Sequence, residues 1–339
     1  MRAWCRNMRK VFLKMNRSDT KLKRFFLKTS RDYAILYALV LVFAVMSIIA
    51  KSYFSLDNIT NVFRQAAVNG ILAAGQFFVI IAGAIDLSVG STLALSGIVF
   101  ASIISKASTL SPEVVVLAVV AALLAGVLIG LINGIISAYL KIPPFITTLG
   151  SMLIIRGLVH AVTNSYPVPI PTEIGVIGRG DLIGIPIPIY ILAVVFAFTV
   201  YFSTKRKTGR YMYAIGGNAD AAFLSGIKVQ KIQVITYVLC GLFAGLAGII
   251  LTSRLTSGQP KAGVGYEFDA IIAVIIGGVS FSGGRGKAIT VLLGAIFVSA
   301  LMTGLRIMNI DSNIQDIIKG VVFILAIGID VWRNSKDGK

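Results

Sequence analysis

Between Val114 and Leu140 the chain runs without a single charged residue. A run of that length exceeds the roughly 20 apolar residues that carry a helix across a bilayer, and a small soluble core has no place for it. Comparable apolar runs recur from Tyr33 to Trp332, parted by short polar segments, and only 14% of all residues are charged. A soluble domain carries about a quarter. The chain is therefore an all-α polytopic membrane protein, because a helix satisfies its backbone hydrogen bonds within its own segment. The spans expected are 33–50, 67–82, 91–105, 114–140, 145–163, 189–203, 232–253, 270–278, 289–305 and 314–332. That makes ten spans, or eight if the interrupted pairs are re-entrant.

Charge orients the spans. The net charge is +18, and residues 1–32 hold 11 basic against two acidic residues, half of the excess. Charge placed this way marks a cytoplasmic anchor under the positive-inside rule, not a nucleic-acid surface. Residues 1–32 form a basic cytoplasmic tail, read either as an amphipathic segment on anionic lipid or as a solvated tail that fixes orientation. Tyr33 and Tyr53 stand at the ends of the first span as interfacial aromatics would. Residues 51–66 then make an external segment with a short helix capped by Asp57 or Asn58. An even number of spans leaves residues 333–339 inside as a second tail. Two cysteines, Cys5 and Cys240, admit no disulfide framework and no metal spacing.

Two interruptions stand out. Gly83 to Ser91 (GAIDLSVGS) separates two apolar runs, and Gly277 to Lys287 (GGVSFSGGRGK) separates two more. Irregular backbone inside a membrane must be buried in protein or line a polar cavity. Aligned without gaps, the segments match at Gly83 with Gly277, Ser88 with Ser282 and Gly90 with Gly284, the pattern of a duplicated transporter with two related halves. The halves join near 164–188, whose five prolines and four glycines exclude a spanning helix. Asp86 and Ser88 carry two readings: they border a translocation path, or they cap the helix that begins near Ser91. Arg156 likewise faces a polar pathway or snorkels to the outer surface. Gly126, Gly130 and Gly134 share one helical face, as do Gly241, Gly245 and Gly248 on a later span, and both faces predict close helix packing.

The polar stretch 204–231 sets six bases against Asp220 alone, which places it inside. Asn218 reads as an N-cap and Gly226 as a C′ stop around ADAAFLS. A helix of that length is marginal alone and needs a partner or the membrane face. Phe223, Leu224 and Ile227 are its apolar residues, available for docking or for dipping into lipid.

Several chemistries are excluded. GGRGKAIT at 283–290 lacks the phosphate-loop pattern, since Phe281 and Ala288 stand where glycine and a hydroxyl residue belong. One histidine, His160, and scattered carboxylates form neither a catalytic constellation nor a metal site. An ion-coupled secondary transporter of a small polar solute remains the alternative class, with Asp86, Glu267 and Asp269 as its only relay carboxylates.

Taken together, GQFFVIIAGAIDLSVGS at 75–91, PPFITTLGSMLIIRG at 143–157, TGRYMYAIGGNADAAFLSGI at 208–227 and GGVSFSGGRG at 277–286 resemble the permease family of bacterial ABC importers for monosaccharides of the ribose, xylose and galactose type. The likeness covers a permease domain at 33–332 and leaves the tail 1–32 outside. It implies a non-catalytic subunit of the bacterial cytoplasmic (inner) membrane with no cofactor of its own, ATP and Mg being bound by a partner. The partners implied are a second permease copy, cytoplasmic ABC ATPase subunits and an extracytoplasmic sugar-binding protein, besides the lipid bilayer. On this resemblance 204–231 becomes a coupling loop, and Asn218, Ala221, Ala222, Leu224 and Gly226 form the helix that meets the ATPase. Gln76, Asp86, Ser88 and Arg156 are the residues expected along the path of the sugar.

Overall fold

The computed structural model describes residues 34–50 and 53–336. The expected tail 1–32 and the anchor Tyr33 lie outside the described residues. The ten expected spans correspond to helices α1 (Ala34–Ile49), α2 (Leu56–Ile81), α3 (Val89–Lys106), α4 (Pro112–Tyr139), α5 (Pro144–Thr163), α7 (Ile187–Lys205), α10 (Val229–Leu255), α11 (Tyr266–Ile276), α12 (Ala288–Ile307) and α13 (Ser312–Lys336). Among the described residues three shorter α-helices complete the set: α6 (Val176–Arg179), α8 (Lys207–Gly217) and α9 (Ala219–Leu224). Among the described residues, seven helices are long and apolar enough to cross a membrane, namely α2, α3, α4, α5, α7, α10 and α12. α1 is apolar but has 16 residues, and α11 has only 11. α13 extends to Lys336, so part of the expected C-terminal tail is helical.

Two expectations at the start of the chain are corrected. The short helix at 51–66 and the apolar run from 67 are one continuous helix, α2, of 26 residues. No Gly or Pro breaks the sequence between Leu56 and Asn69, and the cap is Ser55, whose side chain accepts from the Asn58 amide at 3.2 Å. Tyr53 is not an interfacial anchor but is buried, donating its hydroxyl to the Ala300 carbonyl at 2.9 Å.

Helix α2 is the axis of the bundle. Every residue from Gln65 to Ile81 is buried, and α7, α10, α11 and α12 pack around it. A helix enclosed on all sides has no lipid face, so its polar residues are answered by neighbours. Asn69 donates to Ser299 on α12 at 3.1 Å, and Arg254 on α10 donates to Gln65 at 3.1 Å.

Outside this axis, α4 lies on α3 and α10. Both glycine faces pack closely on another helix as expected, and the structure brings them against each other. A Cβ at Gly126 would strike the Gly241 carbonyl and one at Gly130 the Tyr237 carbonyl, while Gly248 abuts Leu93 on α3. Backbones this close exchange dispersion contacts that a side chain would forbid. The connection 164–186 carries structure of its own: β1 (Val168–Pro169) pairs with β4 (Ser257–Gly258), and β2 (Asp181–Leu182) turns back on β3 (Ile185–Pro186). Arg64 ties it to α2 through Asp181 at 3.0 Å.

Gly126→Leu should lower the thermal unfolding midpoint of the detergent-solubilised protein, at an overpacking cost of about 1–3 kcal/mol. Gly157→Leu on α5, where a Cβ meets nothing within 4 Å, should leave it unchanged.

Candidate functional site

Three segments that are far apart in sequence converge at one end of the bundle. They are the turn after α2 (Ala82–Gly83), the end of α8 (Gly216–Gly217) and the loop between α11 and α12 (Gly283–Gly284). The Gly284 amide donates to the Ile81 carbonyl, an acceptor freed where α2 ends, at 2.9 Å. A Cβ at Gly283 would lie 2.9 Å from Gly83 and 3.0 Å from Gly216, and one at Gly284 2.7 Å from Gly217. A Cβ at Gly216 would strike the Ile81 carbonyl. Gly83, Gly283 and Gly284 also adopt φ of +82°, +85° and +71°, a left-handed backbone that side chains disfavour. The two interruptions paired in the sequence therefore touch each other and the polar segment 204–231. Because backbone meets backbone, there is no flexible side chain to absorb a displacement.

Further bonds hold the junction. Tyr213 on α8 donates to the Gly286 carbonyl at 2.9 Å, and burial raises its phenol above the ordinary tyrosine pKa, keeping it a donor. Asp330 on α13 accepts from the Phe281 amide at 2.9 Å.

From this root projects α9. The Asn218 side chain accepts from the Ala221 amide at 2.9 Å, so the N-cap forms as read. At the other end Gly226 has φ +83°, its amide donates to Phe223 at 2.9 Å, and the Ile227 amide donates to Ala222 at 3.1 Å. That pair of bonds is a Schellman stop. Of the expected docking residues, Ala222 is buried against its own chain, 5% exposed, where α9 rests one face on α8 and α10. The free face presents Ala221, Phe223 and Leu224, the last two 62% and 84% exposed.

The four path residues separate into two groups. With its amide oriented to satisfy both bonds, Gln76 pairs with the backbone N and O of Asp86 at 3.2 Å each. The Asp86 carboxylate accepts from the Ser88 amide at 2.8 Å and hydroxyl at 2.6 Å, and Asn133 on α4 donates to Ser88 Oγ at 2.9 Å. Gln76, Asp86 and Ser88 are all buried, so here they brace the start of α3. Asp86 closes an Asx turn just ahead of α3, which begins at Val89, two residues earlier than expected, and the cap position itself, Ser88, makes no side-chain cap bond. Arg156 stands apart: it is half-buried and donates to the carbonyls of Pro260 and Ala262 at 3.0 and 2.7 Å. It neither snorkels freely nor touches Asp86, but pins the loop that leads into α11.

That loop brings in residues set aside in the sequence. A Cβ at Gly90 would strike Glu267, so the starts of α3 and α11 abut. Next to Glu267, Asp269 is buried and pairs with Lys319 on α13 at 3.1 Å. The signal that points to Lys319 is a lone lysine inside the apolar run 314–332, paired at 3.1 Å with the distant Asp269 and more loosely with Asp316 one turn away. His160 sits at the end of α5, its Nδ1 3.0 Å from Ser165 Oγ.

Comparison with known proteins gives a consistent answer. A family model described as "Branched-chain amino acid transport system / permease component" matches residues 58–327. The ribose import permease of Escherichia coli (strain K12) is 42% identical over 315 residues, covering 91% of this chain and 96% of the relative. The ribose import permease of Bacillus subtilis (strain 168) is 45% identical over 84% of this chain and 88% of its own. The xylose transport system permease of Haemophilus influenzae is 34% identical over 90% and 97%. No solved structure matches the chain.

Gly216→Ala should part α8 from the end of α2 while leaving α9 capped. Solute uptake by the assembled transporter is expected to fall at least about tenfold, a loss of ~1.4 kcal/mol of coupling. Gly328→Ala, where a Cβ meets nothing, should keep wild-type uptake.

Proposed function

The chain belongs to the permease family of ABC importers of the ribose and xylose type, and on that premise we propose that it carries a ribose-type monosaccharide, handed over by an extracytoplasmic binding protein. It is a multi-pass inner-membrane permease and does no chemistry itself. The ion-coupled carrier, the other class its buried carboxylates admit, falls away with that membership. ATP and Mg belong to a separate ATPase, and the permease works as a pair of copies.

In this reading α9 is the coupling helix. The observation that carries it is the exposure of Phe223 and Leu224 on a six-residue helix capped at both ends. A helix this short does not persist by propensity, and its two apolar side chains gain by entering a cleft on a partner. Ala221 allows close approach on the same face, while Asn218 and Gly226 hold the shape of the helix. Closure of the ATPases on ATP pushes α9, and the push passes through Gly216 to the end of α2 and the 283–284 loop together. Alternating access follows from the shift of both interruptions. Gln76, Asp86, Ser88 and Asn133 then serve as the rigid support of α3 at that hinge. Arg156 is the one of the four path residues whose half-exposed side chain meets the path, beside Glu267.

Leu224→Asp should abolish retention of the ATPase in a pull-down from detergent, with membrane insertion and the α8–α10 fold intact. ATPase retained at the wild-type level would remove α9 from the docking surface. Uptake collapsed by an ionophore yet indifferent to ATP depletion would overturn the importer reading as a whole.

A further inference from the structure

A cavity of about 360 Å³ opens between α11 and α13. Its walls include Glu267 and Phe268 from α11 and Asp316, Lys319 and Phe323 from α13. Glu267 is 7% exposed, and its Oε1 accepts from the Gly265 amide at 3.2 Å. Lys319 is bound to Asp269 and lies 3.9 Å from Asp316, whose own side chain is 77% exposed. Phe268 and Phe323 meet edge to face with centroids 5.6 Å apart.

Charged groups persist in a membrane bundle where they face one another or a polar space. An acyl chain or the apolar face of another helix in this cavity would leave the buried Glu267 carboxylate facing hydrocarbon, which is costly for buried charge. Two carboxylates against one ammonium disfavour an anion, and that ammonium already stands among the carboxylates as their counter-cation. What remains is a set of acceptors and one donor side by side, suited to hydroxyls, which both give and take hydrogen bonds. Two aromatic rings beside them offer a surface for apolar C–H groups. The volume falls in the ~300–1,000 Å³ range of small-molecule sites.

We propose that this cavity is a binding subsite for a neutral polyhydroxylated solute of monosaccharide size. Glu267, Asp316 and Lys319 engage its hydroxyls, and Phe268 and Phe323 its C–H face. The subsite rests on the permease reading above, and it lies on the α11 side that Arg156 pins rather than at Gln76, Asp86 and Ser88.

The test places a cysteine on the cavity wall, Val264→Cys, in a Cys5→Ser background where the remaining Cys240 is buried. The permease is assembled with its ATPase in nanodiscs and labelled with a maleimide, with and without D-ribose, D-xylose or D-allose. At least one sugar should slow labelling, about tenfold once present at about ten times its Kd. Asp316→Asn and Phe323→Ala in the same background should each remove that protection. A cysteine at Ile183, on the distant β2–β3 turn, should label at the same rate throughout. Labelling unaffected by all three sugars overturns the subsite. If ATP-driven uptake of one of those sugars persists, the permease reading stands without it; if no ATPase is retained, that reading falls too. A disulfide formed between Val264→Cys of two copies before any sugar is added would assign the cavity to the second copy instead.

Discussion

One hydrogen bond concentrates the logic of the fold: the Gly284 amide reaching the Ile81 carbonyl at 2.9 Å. A helix that ends inside a protein leaves its last carbonyls without partners, and apolar surroundings make each such group expensive. Here the end of α2 is served by a loop about two hundred residues away in sequence. That loop reaches it only because glycines at 83, 216, 283 and 284 remove every intervening side chain. The same closeness that satisfies the backbone makes the junction stiff. A contact first required by hydrogen bonding thereby becomes a mechanical link between the membrane interruptions and α8.

Charges inside the bundle obey the same rule of mutual satisfaction. Arg156 is spent on two backbone carbonyls, and Asp269 on Lys319. Asp86 is spent on the start of α3. These groups differ in what remains open around them. Asp86 is sealed, whereas Glu267 and the Lys319 pair border a space. Removing one partner of a buried pair is costly because the other charge is left stranded, so such pairs hold the helices around a cavity in register.

The caps of α9 and the glycine packing faces were legible in the sequence because they follow from local rules. Asn218 precedes its helix by one residue and Gly226 closes it two residues past its end, and glycines four apart share a face whatever lies opposite. The continuity of α2 through residues 56–66 was obscured because Asn58, Arg64 and Gln65 resemble a surface segment. They are polar residues answered inside the protein, Asn58 by the Tyr53 carbonyl just upstream and Arg64 and Gln65 from afar by Asp181 and Arg254. The role of Ala222 was hidden for the opposite reason: nothing in ADAAFLS tells which face rests on α8 and α10.

By itself the sequence determined the membrane class, the two glycine-rich interruptions at 83–91 and 277–287, the ends of the short helix α9 and the family likeness. Each of these follows from hydropathy, glycine conformation or capping chemistry within a few residues. Only the tertiary structure decided that the two breaks meet at one glycine junction, that Asp86 braces a helix while Arg156 pins a loop, and that Lys319 answers Asp269. Such pairings depend on which distant elements share a boundary, and satisfaction of buried backbone and charge selects them only once the whole bundle has closed.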